Sequence, residues 1–530
     1  MSAIDWSFPY TSQRMPLLAR HVAATSQPLA AQAGLRMMLQ GGNAVDAAIA
    51  TAIAAAVVEP VANGIGSDAF ALIWDGEHLH GLNASGRSPA AWNLERFAGR
   101  AHMPQSGWDS VTVPGAVSAW AALSQRFGKL AFEQLFAPAI EYARDGFLVA
   151  PIVARQWQEQ AATLAPEPGF SAAFLRHGKA PEAGTRFVHT EQADTLEQIA
   201  TSHGESFYRG SLAARIAEDA RRGGGALSEA DLAAHRPQWV EPIEHGYRGY
   251  TVHEIPPNGQ GLAALIALGI LSHLELRRFG VDTADSLHAQ IEAMKLAFAD
   301  VYAYVADPAA MRIDCRELLA RAYLSKRAGL IDMRRAQWHG GGSPRGEGTV
   351  YLTAADSNGM MVSFIQSNYR GFGSGVVVSG TGISLNNRGS GFSLQAGHPN
   401  VVAGGKLPFH TIIPGFVTRQ GRAVMSFGVM GGNMQPQGHL QMLVRLADYG
   451  QNIQAAADAP RWKITEDLLG VMVEPGYEPS VLEALRERGH RLELSPRDST
   501  EFGAAQLIQC LEYGYLAASE RRRDGQAVGY

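Results

Sequence analysis

The stretch GTVYLTAADSNGMMVSFIQSNYRGFGSGVVVSGTGISLNN, residues 348–387, decides how the chain is read. It opens with Thr349 behind a glycine at the start of a strand-like run, Val350–Ala355, and a second run follows at Met360–Ile365. A threonine hydroxyl in mid-chain is a poor nucleophile, because no base stands beside it. Cutting the Gly348–Thr349 bond would give Thr349 an α-amine with an ordinary pKa of about 7.7–8.0, able to take the hydroxyl proton directly or through a water. One residue would then supply nucleophile and base. β-Branched residues also belong at strand entries for purely structural reasons, and this stretch alone leaves both readings open. The loop GFGSG at 371–375 lacks the Gly-Lys-Ser/Thr ending of a phosphate loop, which argues against nucleotide binding.

Composition narrows the class. The 530 residues include 46% hydrophobic and 18% charged residues, enough for a large core and unlike a disordered chain. With 45 basic and 50 acidic residues the net charge is −5, which argues against nucleic acid as the main partner. Two cysteines, Cys315 and Cys510, make no disulfide framework and no CxxC pair. Neither HExxH nor CxxC occurs, so no metal or other cofactor is expected. The N-terminus lacks an apolar run of signal-peptide length, and no stretch reaches the ~18 apolar residues needed to span a bilayer. Ala47–Val58 reads as a buried helix. A cytoplasmic protein with no membrane partner is the expectation.

Helical spacing runs through Ser26–Gln40, and Asn43 can cap the alanine-rich helix that follows. Ala69–Trp74 and Leu79–Leu82 read as strands joined at Asp75–Gly76. From about 118 to 320 the pattern is mostly helical, broken by a strand at Tyr250–Ile255 and a turn at Pro256–Gly261, and it ends in a long helix at Ala289–Val305. Ala336–Gly348 is glycine-rich and without apolar periodicity, the composition of an exposed, cleavable linker. Beyond it strands predominate, at Ile383–Leu385, Ile412–Val417 and Ala423–Phe427, with helices at Gln437–Tyr449 and Pro479–Arg488.

Nine stretches in register then carry a resemblance: GGNAVDAAIA (41–50), VVEPVANGIGSDAFALIWDG (57–76), VTVPGAVSAW (111–120), FGKLAFEQLFAPAIEYARDGF (127–147), EAMKLAFADVYAYVADP (292–308), GTVYLTAADSNG (348–359), SGTGISLNN (379–387), VMGGNMQPQGHLQMLVRLADYG (429–450) and DAPRW (458–462). Together they resemble the γ-glutamyltranspeptidase-type N-terminal-nucleophile hydrolases. The resemblance implies an α+β fold, a four-layer αββα sandwich. It implies self-cleavage between Gly348 and Thr349 into a large subunit (1–348) and a small one (349–530), which remain together as a heterodimer of about 37 and about 20 kDa by proportion of length. It implies Thr349 as nucleophile, the Gly431 and Gly432 amides as oxyanion donors, and Ser367 in place of a second threonine that hydrogen-bonds the nucleophile.

The pocket departs from the family pattern. A γ-glutamyl site holds a zwitterion with an arginine and an aspartate; here their places fall on Ser85 and Gly391, while Arg87 lies two residues from the first and Arg388 replaces a glutamine near the second. Tyr369 replaces an asparagine, and His410–Thr411 replace a serine pair. With the carboxylate gone and Arg388 added, the pocket is expected to favour a carboxylate without an amine. A short monoanionic amide such as oxamate, cleaved to oxalate and ammonia in purine catabolism, fits that expectation. A γ-glutamyltransferase or glutathione hydrolase, a glutaryl-type acylase and a processing-dead relative that only binds an anion remain as alternatives.

Overall fold

The computed structural model describes Ile4, Trp6, residues 13–339 and residues 349–530. Gly348 and the linker from 340 lie outside the described residues, and with them the expectation of a cleavable tail.

Two seven-stranded antiparallel sheets organise the chain. The first runs Gln526–Gly529, Val22–Thr25, Val350–Ala355, Met361–Ser367, Asp68–Trp74, Leu79–Ala84 and Gln238–Val240. The second runs Leu17–Ala19, Gly514–Ser519, Ala505–Leu511, Arg422–Val429, Gly415–Arg419, Tyr250–Glu254 and Ile243–Tyr247. Strands from both sides of the 348/349 bond enter each sheet. The period-two alternation of each strand sends its two faces to different clusters. In Val350–Ala355, Val350, Leu352 and Ala354 join a buried cluster with the helix Ala44–Val58, whereas Tyr351 and Ala355 join one with Phe70, Leu72, Phe416 and Ile508. In the second sheet Phe427 and Val429 turn the other way, toward the helices Gly261–Leu271, Ala284–Tyr304 and Met434–Ala447.

Ala44–Val58 is buried along its whole length, as a helix apolar on every side must be. Asn43 caps it as expected, and Asp46 closes the box by accepting from the Asn43 amide at 2.9 Å. The strands Asp68–Trp74, Leu79–Ala84 and Val350–Ala355 fall where patterning put them, and the helix expected at Ala289–Val305 is Ala284–Tyr304. The strands at 17–25, 238–247 and 505–529 were not expected. Several are short, and several have remote partners: Val22–Thr25 pairs with residues 352–355.

Besides the apolar cluster of Phe70 and Phe416, polar groups link the sheets: Thr353 Oγ1 lies 2.6 Å from Ser426 Oγ, and Ser363 Oγ donates to the Phe427 carbonyl at 3.3 Å. Within the first sheet the Tyr351 hydroxyl lies 2.8 Å from Ser363 Oγ. Gly428 gives the Tyr351 ring its room, since a Cβ there would meet ring carbons at 2.3–2.7 Å. Gly428→Ala should therefore destabilise the protein by about 1–3 kcal/mol through overpacking, seen as a lower midpoint in urea unfolding with an unchanged slope.

Candidate functional site

Register builds the site. Val350 pairs with Gln366 and Ser367 pairs with Asp68, so the chain just before Val350 lies opposite Ser367. Thr349, Ser367 and Asp68 share the phase of residues facing the second sheet. Thr349 is 2% exposed, with Oγ1 3.3 Å from Ser367 Oγ and 3.4 Å from Gln435 Nε2.

Gln435 comes from the second sheet's side. The strand Arg422–Val429 ends, Met430–Asn433 turns, and the helix Met434–Ala447 begins. Gly431 and Gly432 both take positive φ, 115° and 56°, a conformation that costs glycine least. Among the described residues neither amide hydrogen has an acceptor. Two amides at the mouth of a helix N-terminus are suited to a developing negative charge. Gln260 braces them: its Nε2 donates to the carbonyls of Gly432 at 2.9 Å and Thr411 at 2.6 Å. Gln435 takes the Ile413 amide on Oε1 at 2.9 Å.

Arg388 reaches the same place from the turn Arg388–Gly391. It is fully buried, with Nη2 donating to Ser367 Oγ at 3.1 Å and Nη1 to Thr411 Oγ1 at 2.8 Å. The guanidinium lies 4.2 Å from the Tyr369 ring centre, a cation–π contact. Tyr369 is itself buried, holds φ at 83° and gives its amide to Ser367 Oγ at 2.8 Å. Arg388 Nε has no acceptor, and among the described residues no carboxylate comes within ion-pair distance of its guanidinium. Burial lowers its pKa to about 10, against the pull of Asp68 and Tyr369, so it stays charged at neutral pH.

Asp68 is the acidic group of this region, and pocket comparison by sequence overlooked it. Its Oδ1 takes the amides of Gly86 at 3.2 Å and Gly115 at 3.1 Å, and Oδ2 lies 3.0 Å from His410 Nε2. Burial pushes its carboxyl up to about 7, opposed by Arg388 and by those two amides. His410 is held well below its ordinary value, by burial first and then by Arg388, so it is neutral. A buried acid inside a strand that otherwise reads as core was the available signal.

The remaining expected residues divide. Thr411 joins Arg388. Ser85 joins a buried amide network instead, with Oγ 2.8 Å from Asn83 Oδ1 and accepting from Asn258 Nδ2 at 3.2 Å. Arg87 is not brought to the cluster. Its Nη1 goes to Asp307 at 2.9 Å and the Gly405 carbonyl at 3.0 Å, and its side chain is 44% exposed. Gly391, at the end of the Arg388 turn, borders a cleft of about 910 Å³ lined also by Arg100, His102, Gln105, Phe392 and Phe409.

Away from Thr349, His288, Glu292 and His490 bring ligand-type atoms within 4.8 Å of one another. They are committed among themselves: His288 Nδ1 meets His490 Nε2 at 2.7 Å, and Lys295 Nζ holds Glu292 at 2.9 Å. That ammonium competes directly with any cation. Among the described residues no helix is long and apolar enough to cross a membrane.

Comparison with known proteins agrees with this frame. The gamma-glutamyltranspeptidase family model matches residues 30–530, and the chain belongs to the γ-glutamyltranspeptidase family. It is 36% identical to the glutathione hydrolase-like YwrD proenzyme of Bacillus subtilis (strain 168), over 94% of this chain and 97% of that one. It is also 36% identical to the oxamate amidohydrolase proenzyme of Klebsiella pneumoniae, over 96% and 98%. The crystal structure of cephalosporin acylase from Bacillus halodurans superposes with a TM-score of 0.95 at 47% identity, covering 100% of this chain and 99% of that one. These relatives are hydrolases and acylases, several of them named as proenzymes.

Gln260→Ala should leave the buried Thr411 carbonyl without a donor and the Gly432 carbonyl with only the Gln435 amide, and cost about 1–3 kcal/mol. Denaturant titration should show that loss, with Ser85→Ala, whose neighbours can still pair with each other, losing clearly less.

Proposed function

We propose that this protein is a self-processing amidohydrolase that cleaves the amide of a small carboxylate-bearing substrate, with oxamate as the best match. The single observation that carries the reading is Arg388: a fully buried guanidinium with no carboxylate in ion-pair contact among the described residues, sharing the Ser367 hydroxyl with Thr349. A buried charge is strongly penalised unless paired. A substrate carboxylate forked on Arg388 would supply the missing partner and hold the adjoining amide toward Thr349 Oγ1.

In this reading the layers are those of an αββα sandwich, supported by three separate buried clusters: helices on sheet, sheet on sheet and sheet on helices. Thr349 Oγ first attacks the Gly348 carbonyl, and water hydrolyses the resulting ester. That step leaves residues 1–348 and 349–530 as interleaved subunits. The new α-amine then takes the hydroxyl proton as Oγ attacks the substrate amide. Gly431 and Gly432 N–H groups receive the oxyanion, where one such donor is typically worth ~2.7–4 kcal/mol. The amine passes its proton to departing ammonia, and water releases the acid. Ser367 orients Oγ, and Tyr369 limits acyl length. Asp68 does not stand in for the missing aspartate in this reading, since its Oδ1 takes two backbone amides and its Oδ2 faces His410. Unpaired Cys315 and Cys510 suit a reducing, cytoplasmic setting.

A glutaryl-type acylase is the second reading, favoured by the cleft of about 910 Å³ beside the Arg388 turn, which could take a bulky leaving amine.

Purified protein should run as two bands, the smaller beginning at Thr349, and Thr349→Ala should run as one. A single full-length band from active wild-type protein would refute self-processing. Ammonia release from oxamate should exceed release from γ-glutamyl anilide, and Arg388→Gln should raise KM for oxamate by at least about tenfold, the loss of one charge-assisted pair. Faster turnover of glutaryl amides than of oxamate would transfer the assignment to the acylase.

A further inference from the structure

Arg388 and Asp68 face the same buried space yet make no ion pair with each other, because Asp68 is held elsewhere. Two backbone amides fix its Oδ1 and His410 fixes its Oδ2. The groups that face the pair are few. Arg388 and the neutral His410 act directly on Asp68, the Tyr208 phenol feels its charge, and the Tyr369 ring packs on Arg388. With Asp68 ionised and the Thr349 amine in the neutral form that acts as base, the pocket is neutral. Adding a substrate carboxylate would leave one uncompensated negative charge where exposure is zero.

The geometry points to Asp68 as the specificity-determining residue that couples binding of one carboxylate at Arg388 to the uptake of one proton. This inference rests on the reading of Arg388 as the carboxylate-binding group. The balance is simple. Ionised Asp68, a solvent proton and the substrate anion give a neutral Asp68–His410 pair and an Arg388–carboxylate pair, so the pocket's net charge is zero before and after. Oδ1 is filled by two N–H donors, so the added proton lies in the contact between Oδ2 and His410 Nε2. Nothing is oxidised and no covalent bond to carbon changes. A carboxyl titrating at about 7 places the coupling near neutral pH. The sign follows from linkage: the protonated state binds the anion, so affinity falls as pH rises through that value.

The test uses processed wild-type protein and Asp68→Asn, with acetate as the probe. Its dissociation constant is read from the acetate-dependent rise in melting temperature and from competitive inhibition. Wild type should bind about tenfold more weakly at pH 8 than at pH 6, whereas Asp68→Asn should change by no more than about threefold, the part left to the Thr349 amine. A wild-type change below threefold, or an unchanged tenfold slope in Asp68→Asn, would overturn the coupling. Should Asp68→Asn fail to fold or process, pH-stat titration of wild type decides. Saturating acetate should draw about half a proton per site at pH 7 and only about a tenth at pH 6, and no uptake at pH 7 would end the proposal. Arg388→Gln separates the two claims: acetate affinity unchanged in that variant refutes the Arg388 reading itself, whatever the pH slope.

Discussion

The antiparallel pairing of Val350–Ala355 with Met361–Ser367 is the constraint from which the site follows. Once Val350 faces Gln366 and Ser367 faces Asp68, the start of the strand stands across from Ser367. Strand alternation then directs Thr349, Ser367 and Asp68 to one face. A slip of one residue would send all three into the helical cluster on the other side. The register is held because that other face is filled by Val350, Leu352, Ala354, Val362 and Phe364, which have no second place to go.

The opposing sheet completes the site by ending rather than by pairing. Arg422–Val429 stops at the level of Thr349, two glycines turn the chain through positive φ, and Met434–Ala447 leads away. The helix N-terminus, the two amides and Gln435 thus converge from one short segment. Gln260, from a distant part of the chain, ties the segment to Thr411 by donating to the Gly432 and Thr411 carbonyls. Opposite it stands Arg388, whose charge is surrounded by hydroxyls and a ring rather than by a carboxylate. Amides without acceptors among the described residues and a guanidinium without an ion pair both lie close to Thr349, and both suit an anion.

Much of this was legible beforehand because the signals are local. Asn43 with Asp46 marks a helix start, and the alternation in Val350–Ala355 marks a strand. The Gly431–Gly432 pair marks a backbone turn, and each depends only on neighbours in sequence. The strands at 505–529 were not legible, since Ala505–Leu511 gains its identity from partners at 425–429 and 514–519. Arg87 and Arg388 looked equivalent as charges near the expected pocket. Asp307 draws Arg87 outward, whereas among the described residues no acid forms an ion pair with Arg388.

By itself, then, the sequence determined many of the elements, the family pattern and the placing of Arg388 where the family has a glutamine, because those are properties of residue type and spacing. Only the tertiary structure decided that Ser85 is spent on an amide network, that Arg87 turns away and that Asp68 shares the interior with Arg388. The physical reason is that a buried charge is governed by whichever groups surround it in space. Asp68 and Arg388 are 320 positions apart in the chain and meet only after two strands have paired and a turn has folded over them.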